Sequence, residues 1–171
     1  TETNDTDTSN WKTYQNDEFG FEVKYPDVWE VNIQSSTGSL LPIDGELSKN
    51  DILNNKNYST GFSFGTRESK AGGYITGITV SSAKFDSVKN IIQKDFSWEN
   101  QSQITLNGQS MYLLCWKTGC KQGDVAIDKR FIFEKDGIIW QIFGGVSKES
   151  FNSKENVKIV ESFFNSFKII E

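Results

Sequence analysis

Histidine is absent from the 171 residues of this chain. That excludes Ser-His-Asp triads, His-ligated zinc, haem with a His ligand and the usual near-neutral proton shuttle. One Met and two Pro leave neither an adaptable Met-rich groove nor a Pro-rich recognition segment. No apolar run approaches the eighteen or so residues that span a bilayer. No basic-then-apolar targeting segment is present either. If the protein is exported, its signal has been removed. Positive charge is also scarce: 18 Lys and Arg against 23 Asp and Glu give a formal charge of -5. Such a surface repels phosphate backbones and anionic headgroups, and the pairs Lys129/Arg130 and Lys117/Lys121 are too short and interrupted to override it. Nucleic acid is therefore not an expected partner.

What the chain has in quantity is aromatic residues: thirteen Phe, five Trp and five Tyr within an apolar fraction of 36%. These supply enough buried area for one folded domain at this length. Residues 1 to 10 contain no apolar side chain larger than Thr and read as a flexible tether, leaving 11–171 as a single domain.

Alternation of Phe19, Phe21, Val23 and Tyr25 predicts a half-buried strand ended by Pro26, and Trp29, Val31 and Ile33 predict the next. A short strand precedes them at Trp11 to Tyr14. Residues 36 to 58 read as a long loop with a helical turn near Leu47 to Leu53. Phe62 and Phe64, then Tyr74 to Val80, form a hairpin. Phe85, Val88, Ile91, Ile92 and Phe96 trace a helical stripe, which Ser97 to Gln101 ends. Asn107-Gly108 and Asp136-Gly137 are hairpin turns. Between them, residues 109–116 are apolar on both parities, as expected of a strand covered on both faces. A final helix starts near Asn152 and carries Val157, Val160, Phe163, Phe164 and Phe167 on one stripe. Gly144-Gly145 is no phosphate loop and is read as relieving crowding before that helix. These elements predict an α+β fold: a twisted antiparallel sheet of eight or nine strands, with helices on both faces.

Cys115 and Cys120 bracket what looks like the top of a hairpin. A disulfide there would stabilise by about 2 kcal/mol and imply an oxidising compartment. A reduced pair is the alternative, and a metal or redox pair is a further one, although the spacing is not Cys-x-x-Cys. Asp124 and Asp128 share a strand parity with Arg130 and are weak candidates for a hard cation or for acid–base chemistry; solvated edge charges are the plainer reading. Asp5 and Asp7 lack the pattern of a dedicated calcium loop. Trp98 and Trp116, near element ends, are candidates for a partner surface. No catalytic residue and no cofactor is expected.

The segment from Trp11 to Trp29 resembles the opening of PsbP-like proteins, whose pattern Phe-x-Phe-x-x-x-Tyr-Pro-x-x-Trp is matched by Phe19, Phe21, Tyr25, Pro26 and Trp29. A Ser-Phe pair in the last helix, Ser162-Phe163 or Ser166-Phe167, is similar to the family's closing feature. The superfamily includes an extrinsic photosystem II subunit, a nuclear-transport cofactor that binds a small GTPase, and small bacterial lipoproteins of unknown role. The resemblance implies a PsbP-type α/β/α sandwich without catalytic residues, and its lipoprotein branch fits best. The expected protein is a monomeric extracytoplasmic interaction or assembly module. A removed N-terminal lipid anchor would hold it at the cell envelope, with a protein partner there. A small-ligand or cation carrier is the alternative, and a carboxylate-based hydrolase a remoter one.

Overall fold

A computed structural model describes residues 6–39, 41–66, 74–94, 98–116, 128–146 and 154–170 of the chain. In chain order its elements begin with β1 (Lys12–Asn16), β2 (Phe21–Tyr25), β3 (Glu30–Thr37), β4 (Ile43–Asp44) and α1 (Lys49–Asn54). They continue through β5 (Tyr58–Gly65), β6 (Tyr74–Ser82), α2 (Val88–Lys94), β7 (Trp98–Leu106) and β8 (Gln109–Trp116). The last are β9 (Asp128–Lys135), β10 (Ile138–Val146), α3 (Lys154–Ser166) and β11 (Lys168–Ile169).

These strands form two sheets rather than one. Eight lie in the order β4-β3-β5-β6-β10-β9-β8-β7, all antiparallel, and a smaller sheet has the order β1-β2-β11. The two halves of the large sheet meet where β6 pairs β10, from Ser82↔Ile138 to Tyr74↔Val146. Strand alternation then decides which residues share a face. Phe62, Phe64, Ile78, Val80, Phe131, Phe133, Trp140 and Ile142 point to one side, where each is at most 5% exposed.

The small sheet and α3 together cover that inner side. Phe21 and Val23 of β2 and Val160, Phe163 and Phe164 of α3, with Phe167 just beyond the helix, join the same aromatic cluster. Phe21 packs edge-on against Phe62 at 5.2 Å and Trp140 at 5.6 Å, while Phe164 meets Phe131 at 4.7 Å. Ion pairing between Lys129 of β9 and Glu161 of α3 fixes the helix laterally. On the outer side, α2 buries Ile92 against Leu114, Ile132 and Ile139. Helices therefore do occupy both faces, but α3 shares the inner layer with three strands.

The local differences have identifiable causes. Residues 98–106 continue as an edge strand instead of ending the helix, because an edge strand pairs through its backbone and needs no apolar alternation. The helix α2 itself begins at Val88, leaving Phe85 at 39% exposure outside it. Within the expected loop, β3 runs on to Thr37, β4 adds a two-residue pair, and α1 starts behind Ser48, whose Oγ accepts from Asp51 N at 3.1 Å. Met111 on one parity of β8 and Leu114 on the other are almost fully buried, as expected of a covered strand. Tyr112 is the departure at 36% exposure.

Candidate functional site

Sequence-derived candidates divide by where they fall. Cys115 is 1% exposed and is not a free thiol, whereas Cys120 lies outside the described residues, so the pairing remains a proposal. Asp124 also lies outside them. Asp128 opens β9 opposite Gly145, with its side chain outside the description. Among the described residues no group of three or more His, Cys, Asp or Glu is gathered as for a metal ion. Trp98 and Trp116 are cross-strand partners at one end of the β7–β8 hairpin, which brings the two candidate positions together. Their side chains also lie outside the description.

Sequence reasoning did not anticipate a recess of about 430 Å³ where the two sheets meet. Its wall comes from four distant segments: the β1–β2 turn with Asp17, Glu18, Phe19 and Gly20, Lys49 at the start of α1, Lys135 and Asp136 at the β9–β10 turn, and Ile169 and Ile170. The close approach at one side explains a glycine. Gly20 has φ 70°, Ile170 N donates to its carbonyl at 2.9 Å, and an added Cβ would sit 2.8 Å from Ile170 O. Glu18 accepts from Lys49 N at 2.5 Å, and Asp17 accepts from Gln15 Nε2 at 2.8 Å. The lysine ammonium groups make no ion pair with a described residue.

Close by, a polar network braces the β1–β2 turn. Asn16, 5% exposed, donates from Nδ2 to Glu46 Oε2 at 2.7 Å and to Tyr14 Oη at 3.3 Å, and its Oδ1 accepts from Phe19 N at 2.8 Å. Burial pushes the Glu46 carboxyl above its ordinary value, with the charge of Glu18 adding to the effect and the Asn16 hydrogen bond opposing it. Burial likewise raises the Tyr14 phenol. Chemically, the recess offers both signs of charge above an apolar floor of Phe19 and Ile169.

A second surface lies on the large sheet. On the outer side of β3, β5 and β6 the exposed or half-exposed positions include Glu30, Asn32, Gln34, Ser59, Gly61, Ser63 and Thr79, with Asp44 of β4 opposite Gln34 at the edge. The described helices leave it open, since α2 packs over β8, β9 and β10, while Ile52 of α1 and the stripe of α3 join the inner cluster. Next to it, Phe143 covers Gly77, where an added Cβ would fall 2.5 Å from Phe143 Cζ and 2.8 Å from Phe62 O.

No protein-family model matches the chain, and no curated protein matches it significantly. A structural match exists. The solution structure of cyanobacterial PsbP (CyanoP) from Synechocystis sp. PCC 6803 has a TM-score of 0.58 and 12% identity, over 94% of this chain and 92% of that one. The fold is PsbP-like. A crystal structure from Bacteroides thetaiotaomicron VPI-5482 shows 11% identity and a TM-score of 0.46. It covers 95% of this chain, which spans 49% of that longer one.

The PsbP-like architecture accounts for the motif residues as packing. Phe19 is 4% exposed, Phe21 0% and Trp29 3%, and Pro26 O accepts from Trp29 N at 3.0 Å in the turn that leaves β2. None of these can reach a ligand without opening the core.

Proposed function

We propose that this protein is an extracytoplasmic, non-catalytic interaction or assembly module, the globular part of a bacterial lipoprotein that acts as a monomer on a protein partner at the cell envelope. The observation that carries this reading is the open outer face of β3, β5 and β6. Its outward residues Asn32, Gln34, Ser59, Gly61 and Ser63 are uncharged, with Glu30 and Asp44 at the margin. Small substrates favour concave sites, whereas an extended sheet face suits a macromolecule. The PsbP-like fold supports the same reading through the resemblance to exported lipoproteins. A Cys115–Cys120 bridge fits an oxidising compartment. No helix among the described residues is long and apolar enough to cross a membrane, so attachment is proposed through an N-terminal lipid.

The test pairs affinity capture from native membranes with a variant of the face. Gly61→Arg with Ser63→Arg suits the purpose, because a Cβ at Gly61 meets only Gln34 O at 3.7 Å and Thr79 Oγ1 at 3.8 Å and Ser63 is exposed. A reproducible partner that the double variant no longer captures supports the reading. Capture of nothing, or undiminished capture by a folded variant, refutes it.

The recess favours one second reading, a carrier of a small zwitterion held by the ammonium groups of Lys49 and Lys135 and the carboxylate of Asp136. Equilibrium dialysis against an amino-acid mixture tests it, and the absence of binding above background would end it.

A further inference from the structure

The C-terminal end of α3 lacks a basic residue in its last turn. Helix ends leave carbonyl groups without intrahelical partners, and here Asn107 of a distant hairpin and Ser166 of the helix itself meet the need. Asn107 donates from Nδ2 to Asn165 O at 2.9 Å and to Phe167 O at 2.6 Å. Ser166 Oγ donates to Phe163 O at 2.7 Å and accepts from Lys24 N at 2.9 Å, tying the same helix end to β2. The carbonyl that Asn107 holds belongs to Phe167, whose ring is 2% exposed and lies 6.0 Å from Phe21 and 6.1 Å from Trp140. The tip of the β7–β8 hairpin therefore latches the helix to the aromatic core.

Asn107 is followed by Gly108, the only Asn-Gly dipeptide in the chain. In a freely moving segment that dipeptide deamidates. The Gly backbone nitrogen attacks the Asn side-chain Cγ, a C–N bond forms, the amide nitrogen leaves as ammonia, and water opens the succinimide to Asp or isoAsp. Glycine promotes the attack because it has no Cβ to hinder the approach. In this fold the attack is opposed twice. Both turn residues are fixed in the left-handed region, at φ 48° and 81°, and the amide is held on two carbonyl oxygens.

We propose that Asn107 is a self-modification site gated by docking of the α3 C-terminus. Deamidation requires the hairpin tip to release the helix end, and it then makes that release permanent. Either product replaces a double donor with a carboxylate, which only accepts and so repels the carbonyl oxygens of Asn165 and Phe167. An isoAsp product also adds a backbone carbon to a two-residue turn, whose geometry tolerates none.

Peptide-mapping mass spectrometry of the full chain incubated in mildly alkaline buffer tests the gate. The folded protein is expected to deamidate at Asn107 more than about tenfold slower than the same chain in urea, because reaction is confined to locally opened molecules. Ser166→Ala, which loosens the same helix end without touching Asn107, is expected to raise the folded-state rate. Hydrogen exchange supplies the second readout: Asn107→Asp should lose protection at the amides of Phe167 and Ile170, which bond Phe164 O and Gly20 O in the parent. Equal rates in buffer and urea would overturn the proposal. So would parental protection of those two amides in Asn107→Asp.

Discussion

A single methyl group at position 144 should push α3 away from the large sheet. Gly144 sits in β10 between Thr76 and Lys129 on the face covered by α3. A Cβ there would come within 2.7 Å of Phe164 Cζ and 2.9 Å of Val160 Cγ1. Neither neighbour has room to retreat. Phe164 is 1% exposed with Phe131 at its back, and Val160 is fully buried. Nor can α3 lift freely, being held by Lys129–Glu161 along its length and by Ser166 and Asn107 at its end.

Overpacking of this kind costs about 1–3 kcal/mol. Replacing Gly by Ala also stiffens the unfolded chain, which returns about 0.4–1 kcal/mol. Gly144→Ala should therefore destabilise by about 1.3 kcal/mol net, the difference between the middles of those two ranges. Gly61→Ala is the matched control. Its Cβ meets nothing closer than 3.7 Å, so only the unfolded-state effect remains and the sign should reverse, by about 0.4–1 kcal/mol. Urea unfolding followed by fluorescence and circular dichroism gives both midpoints, with unchanged slopes as the sign that the comparison is valid. If Gly144→Ala proves as stable as Gly61→Ala, α3 is not seated on β10 as described.

Three further outcomes are expected. Glu161→Gln should cost about 1 kcal/mol, because the Lys129 side chain it leaves is only 19% exposed, whereas Lys94→Gln, at the 70%-exposed end of its pair with Asp86, should stay within about 0.5 kcal/mol in urea unfolding. The raised Glu46 carboxyl means that folding favours its neutral form, so its contribution is full below the unfolded carboxylate range and lost as pH rises through the folded value. Glu46→Gln, which can still accept from Asn16, should therefore gain on the parent between acid and neutral pH; a pH-independent difference in midpoint would refute this. Thiol titration under denaturing conditions should find two thiols only after reduction, and titratable thiols before it would defeat the proposed Cys115–Cys120 bridge.

Local signals in the sequence were reliable where a single segment carries its own instruction. The alternation of Phe21 and Val23 gave a strand face, and both side chains are fully buried. Asn107-Gly108 and Asp136-Gly137 are turns with the left-handed φ that such dipeptides favour. Val160, Phe163, Phe164 and Phe167 form the buried stripe of the last helix and its exit. Alternation does not name a strand's partner, however, and that is why the three-stranded sheet was not foreseen. Edge strand β7 was hidden for a related reason: Glu99 to Gln103 carry no apolar pattern because backbone pairing with β8 suffices. The recess gave no sequence signal at all. Its wall is drawn from positions 17–20, 49, 135–136 and 169–170, and only their assembly creates it.

The residues that carry the PsbP-like resemblance are the ones least able to carry recognition. Phe19, Phe21 and Trp29 are at most 4% exposed and are tied into one aromatic cluster with Phe62, Trp140 and Phe163. Substituting any of them changes packing before it changes a contact with a partner. Packing of this sort tolerates 12% identity as long as volume and pattern are kept, which accounts for a shared scaffold across 94% of the chain. Surface positions are under no such constraint. Asn32, Gln34, Gly61 and Ser63 could all be exchanged for charged residues at little cost to the core. The proposed partner is therefore to be sought at outer positions such as Asn32, Gln34, Gly61 and Ser63, where exchange leaves the aromatic interior intact.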